Sequence, residues 1–117
     1  MIEKGELIQV IKESVAEVDI ETYNVSCIDV AGNILDQIEN FGALAGITPD
    51  DIVIKGIPTE KLTEYRHVWV ELEGEPIDPD RDANTEAGKR IRDVIAQAES
   101  DNNIQIITPG HFRVMIS

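Results

Sequence analysis

The sequence predicts one α+β domain over residues 1–117, with helices packed on an antiparallel β-sheet. Three observations predict it. Helical hydrophobic spacing and strand-like alternation occupy separate stretches of the chain, which is the pattern of segregated helices and strands. Turn residues, Glu73–Gly74–Glu75 and Pro109–Gly110, join neighbouring β-like runs as hairpins do. A chain of 117 residues, 42% of them hydrophobic, builds one packed core and has no room for a second.

The elements follow in order. Residues 3–18 read as an amphipathic helix, with Leu7, Val10, Ile11 and Val15 on one face, and the stretch Asp19–Asn24 breaks it. A second helix starts near Cys27, with Ser26 as N-cap and Asp29 three positions on in a capping-box position. Ile28, Ala31, Leu35 and Ile38 form one stripe on it; Val30, Ile34, Phe41 and Leu44 form another. A stripe that wide predicts packing on more than one side, up to the turn around Gly46 and Pro49. Residues 52–57 read as a short strand and 66–72, RHVWVEL, as a stronger one. Pro76–Ile77–Asp78 returns beside it, Asp80–Asn84 reads as a polar loop, and Thr85–Ser100 as a helix burying Ala87, Ile91, Val94, Ile95 and Ala98. Residues 103–108 and 111–116 read as a final hairpin over Pro109–Gly110, with His111 pointing outward.

Composition narrows the function. The formal charge is -13, a field that repels phosphate backbones and anionic lipids, so neither a nucleic acid nor a membrane is an expected partner. Cys27 is the one cysteine, which excludes an intramolecular disulfide and a multi-thiolate zinc site. The charged N-terminus does not read as a signal peptide, and no apolar run is long enough to span a bilayer, so a cytoplasmic location is expected. There is no phosphate-binding glycine loop, and no close histidine spacing for a metal. No cofactor and no metal are expected.

Three residues together suggest chemistry. At the start of a helix, Cys27 would meet partial positive charge and free N–H groups, which favour a thiolate and can hold an oxyanion. A buried, inert cysteine is the plain alternative, and Ile28 and Val30 beside it suit that. Alternation in 66–72 sends Val68, Val70 and Leu72 to one face, and His67, Trp69 and Glu71 to the other. Trp69 beside His67 then reads as the wall of a substrate cleft, or as an edge residue covered by the first helix. A two-residue turn at Glu73–Gly74 pairs Trp69 with Asp78 and His67 with Asp80, whereas a turn at Gly74–Glu75 pairs Glu71 with Asp78. Both registers put Asp78 on the His67 face, but pairing alone leans toward Asp80 as the histidine's partner.

The segment HVWVELEGEPIDPD resembles the His-to-Asp hairpin of the transglutaminase-like superfamily of papain-like cysteine hydrolases, where an Asp-Pro pair follows an aromatic-Val-Glu strand and a turn. The stretch SCIDVAGNILDQIENFGALAGITPDDIVIKG is similar to that superfamily's nucleophile helix: a small residue precedes the cysteine, an acid follows it, and Gly-Ile precedes a strand. The resemblance covers about residues 24–80, with the order Cys, His, Asp preserved. It implies a nucleophile helix packed on the sheet, with Cys27 as nucleophile, His67 as base and Asp78, the residue before Pro79, as the group that orients the base. It implies acyl transfer on an amide bond of a peptide or protein substrate, to water or to an amine; hydrolysis is favoured because so small a domain lacks extra segments to shield an acyl-enzyme from water. Asn24 and Gln9 are candidates for a second oxyanion donor. A non-catalytic binding module that keeps the same fold is the rival reading.

Overall fold

The computed structural model describes residues 3–16, 27–60 and 65–116. Helix α1 is Lys4–Ala16 and helix α2 is Cys27–Phe41. Strands β1, Ile52–Pro58, β2, Tyr65–Leu72, and β3, Glu75–Ile77, follow. A single helical turn, α3 (Pro79–Asp82), leads to helix α4 (Glu86–Ser100), strand β4 (Gln105–Ile107) and helix α5 (Pro109–Ile116). The sheet order among the described residues is β3-β2-β1-β4, and each neighbouring pair is antiparallel. The α+β class and the antiparallel sheet expected from the sequence are therefore present. Ser26 and the expected break at Asp19–Asn24 lie outside the described residues.

β3 and β4 occupy opposite edges, so the chain must cross the sheet between them, and α4 is that crossing. It covers one face, where Ile57 and Trp69 meet Ile95 and Ala98. The opposite face carries the larger core. There Val68, Val70, Leu72, Ile52, Ile54 and Ile107 pack under Leu7 and Ile11 of α1, Ile34, Leu35 and Ile38 of α2, and Phe112 of α5. A sheet covered on both faces buries both sets of alternating side chains. In β2 this produces four consecutive buried residues, His67 to Val70.

The β2–β3 turn is Glu73–Gly74, with φ of 53° and 83° and Leu72 paired to Glu75. Two positive φ values in a two-residue loop match the right-handed twist of the strands, and Gly74 adopts its value without a Cβ clash. The register is therefore the first of the two expected, with Val70 opposite Ile77. Lys4 and Lys12 pair with Glu73 and Glu75 at 2.5 and 2.6 Å, linking α1 to this hairpin.

Three expectations are corrected. The final segment is not a hairpin: 105–107 pairs with β1, and 109–116 is helical. Thr108 caps that helix by accepting the His111 N–H at 3.1 Å, Pro109 takes the first helical position, where no N–H is needed, and Phe112 is fully buried. His111 is exposed as expected, but on a helix. Phe41 and Leu44 are exposed, not part of the stripe on α2. The chain tightens at Gly42–Ala45 and reverses at Gly46, whose φ is 72°, so that Ala45 and Ile47 close this end of the core. Part of the expected loop Asp80–Asn84 belongs to α3, for a reason that lies in Asp78.

Gly56 allows close packing at the centre of β1. A Cβ there would stand 2.7 Å from the Tyr65 ring and 2.9 Å from the Ile107 methyl. Gly56→Ala is expected to lower stability by about 1–3 kcal/mol through overpacking. Gly5→Ala, with open space around it in α1, is expected to raise stability by about 0.5–1 kcal/mol. Urea unfolding of the two variants checks both signs.

Candidate functional site

The site lies where β2 loses its outer neighbour. β3 pairs only with Val70–Leu72, so the first half of β2 runs past the end of β3. Against β1, Ile57 pairs with His67 and Pro58 with Tyr65, which leaves Arg66 as an extra, bulged residue. The bulge breaks the alternation. Tyr65 packs with the larger core, whereas Arg66 lines a shallow groove against α4 with Ile57, Asp93 and Val94.

After Ile77 the chain leaves the sheet. Pro79 has no N–H for a ladder and a φ suited to the first position of a helix, and the preceding Asp78 is a good cap. Its Oδ1 accepts the Arg81 backbone N–H at 3.3 Å, and its carbonyl accepts the Asp82 N–H at 3.2 Å. Capping α3 leaves the other carboxylate oxygen, Oδ2, 2.6 Å from His67 Nε2. His67 is 2% exposed and Asp78 4%. The lean toward Asp80 from strand pairing is thus corrected: the strand ends at Ile77, before the pairing can extend to Asp80. The Asp80 side chain lies outside the described residues.

Trp69 stacks on His67, with ring centroids 5.6 Å apart and planes 22° from parallel. Its indole N–H donates to Glu71 Oε2 at 2.8 Å, and Glu71 pairs with Lys55 at 3.1 Å. The Arg81 guanidinium stands 4.8 Å over the indole ring. Trp69 is only 3% exposed, so it is not an open cleft wall; α4 and Arg81, not the first helix, cover it. Its contact with the site is as a hydrophobic lid on the imidazole.

Cys27 is the first residue of α2. Its side chain, and with it the distance from thiol to imidazole, lies outside the described residues, as does Asn24. The α2 stripe packs on the Val68–Val70–Leu72 face, whereas His67 belongs to the face carrying Trp69. Gln9 is exposed and donates to Glu13 at 3.2 Å, one turn along α1. That is a surface pair, not an oxyanion donor. Among the described residues no three His, Cys, Asp or Glu side chains gather as metal ligands.

The arrangement holds a histidine by a carboxylate in a site shielded from water. With Nε2 engaged by Asp78, Nδ1 is the nitrogen a nucleophile would use, and the carboxylate would stabilise the imidazolium after proton transfer. Two participants escaped the sequence analysis. Arg81 is one; its position three residues after a capping Asp is the signal that would have found it. Arg92 of α4 is the other, donating through Nη1 to the carbonyls of Arg81 and Ala83 at 2.7 and 2.9 Å. No local pattern announces that contact.

No family model, no curated protein and no solved structure matches this chain.

Asp78 joins a helix cap to a buried pair, so its loss is expected to be costly. Asp78→Ala should lower stability by about 3 kcal/mol, from a lost cap and an unpartnered buried histidine nitrogen. Asp82→Ala, at an exposed position one turn away, should stay within about 0.5 kcal/mol of the parent. Denaturant midpoints with unchanged slopes are the measurement; equal losses in the two variants would deny the carboxylate its anchoring role.

Proposed function

We propose that the chain is a cysteine-dependent acyl-transfer enzyme of the transglutaminase-like type, acting as a hydrolase on an amide bond of a peptide or protein. The observation that carries this reading is the buried 2.6 Å contact between His67 and Asp78, the two residues that the family resemblance selects. A second support is the place of Cys27 at the start of α2, where the positive end of the helix favours a thiolate and an oxyanion.

In this reading Cys27 passes its proton to His67 Nδ1 and attacks the substrate carbonyl. Asp78 keeps the imidazole in one orientation and stabilises its cation. The imidazolium then protonates the leaving amine, the acyl group remains on sulfur, and water, deprotonated by His67, releases the acid. An amine in place of water would give transglutamination. The part of β2 that carries His67 has no β3 beside it, because β3 pairs only with Val70–Leu72.

The burial of His67, Trp69 and Asp78 favours a second reading, in which the pair is structural and the domain is a non-catalytic binding module. Thiol chemistry separates the two. Iodoacetamide should alkylate native Cys27 at pH 6.5 about ten-fold faster than the denatured chain, because a lowered thiol pKa enlarges the thiolate fraction. His67→Ala should reduce the rate to the denatured level, and Asp78→Asn should lower it part of the way. A native thiol that reacts no faster than the denatured one, or only after unfolding, would leave the binding module as the function.

A further inference from the structure

Arg81 makes contacts that the proposed triad does not require. Its backbone N–H donates to Asp78 Oδ1, and its Nε lies 3.5 Å from Asp78 Oδ2. Its guanidinium covers Trp69, the residue stacked on His67. Arg92 fastens its carbonyl to α4, which fixes where its side chain starts. Yet Arg81 Nε and Nη2 are buried without a hydrogen-bond partner among the described residues. Buried guanidinium donors normally find partners, because leaving them unmet costs free energy. Held there in spite of that, the charge acts on its neighbours electrostatically.

We propose that Arg81 is a positioning residue for the His67–Asp78 pair: it holds the carboxylate against the imidazole and offsets its negative charge, which keeps His67 able to accept a proton near neutral pH. A carboxylate beside an imidazole favours its cation, and a base that already carries its proton cannot take one from a thiol. A cation beside the same carboxylate oxygen opposes that. Other charged groups also stand near the pair. Glu71, behind Trp69, is paired with Lys55; Arg66, next to His67, shares its groove with Asp93 of α4. Arg81 is the group whose removal leaves Asp78 uncompensated.

The catalytic meaning of this inference rests on the triad reading, but its test does not. In a Cys27→Ser background the titration of the His67 ring protons is followed by NMR, with exposed His111, the only other histidine, as internal reference. Arg81→Met keeps an apolar stem on Trp69 and removes the charge. It should raise the His67 pKa by about one unit and leave His111 unchanged, as expected for one charge lost at close range in a partly screened site. Arg81→Lys should keep the parent value within a few tenths. Trp69 is the only tryptophan, so its near-ultraviolet circular dichroism reports whether each variant keeps the site. A folded Arg81→Met with an unmoved His67 overturns the inference. If that variant does not fold, Arg81→Gln carries the same expectation, and failure of both to fold assigns Arg81 to structure alone. An inert Cys27 in the parent with a shifted His67 in Arg81→Met would reject the triad and keep the inference; a reactive Cys27 with an unmoved His67 would do the reverse.

Discussion

A buried carboxylate must have its lone pairs met, and Asp78 meets them from two directions at once. One oxygen caps the turn Pro79–Asp82 and the other faces His67 Nε2. The first contact requires the chain to leave the sheet at Ile77. The second requires the imidazole to point toward the strand end it has just left. From this follow the shortness of β3, the position of α3 and the entry of α4 onto the Trp69 face. Were the carboxylate removed, a buried histidine nitrogen and a helix start would lose their partner together.

The second constraint is that the sheet is covered on both faces. His67 is then shielded from water, and Asp78 meets its Nε2. Trp69 depends on Glu71 for its N–H, and Glu71 in turn reaches Lys55. The polar groups of this face thus form a chain of contacts among packed aromatic and aliphatic side chains. Such an arrangement resists rotation of any one member, because each rotamer is held by the next. Rigid placement of the imidazole is a requirement of any triad, and equally a feature of a fold that uses the pair only to fix its strands.

The outer ion pairs contribute less. Arg113 of α5 reaches Asp36 and Glu39 of α2 at 2.6 and 2.8 Å, and its guanidinium is held above its usual pKa, chiefly by the hydrogen bond to Asp36. Lys4 is likewise raised, first by its hydrogen bond to Glu73 and then by that residue's charge. Both cations carry their charge at neutral pH in any case, and solvent screens exposed pairs, so their role is alignment of α1 and α5 more than stability. They do use several acidic side chains, which makes part of the strongly negative composition a matter of internal tethering.

The sequence by itself determined what depends on near neighbours. The α+β class, α2 from Cys27, strand β2, the Glu73–Gly74 hairpin and the helix after Asn84 are legible because periodicity and turn chemistry act within a few residues. The presence of His67, Asp78 and Trp69 on one face is legible for the same reason. Tertiary structure alone decided the rest. Whether Trp69 is open or buried depends on Ile95 and Ala98 of α4, which are distant in sequence and carry a helical pattern that does not say which face they will cover. The family resemblance already selected Asp78, but strand pairing leaned toward Asp80, because where β3 ends is set by competition between a ladder Pro79 cannot extend and a helical turn Asp78 can cap. The segment after Thr108 turned on the same competition: Pro109–Gly110 suits a hairpin corner locally, but the burial of Phe112 between β1 and α2 favours a helix there. Arg81 and Arg92 enter the site only through contacts across the fold, and no spacing in a linear chain encodes them.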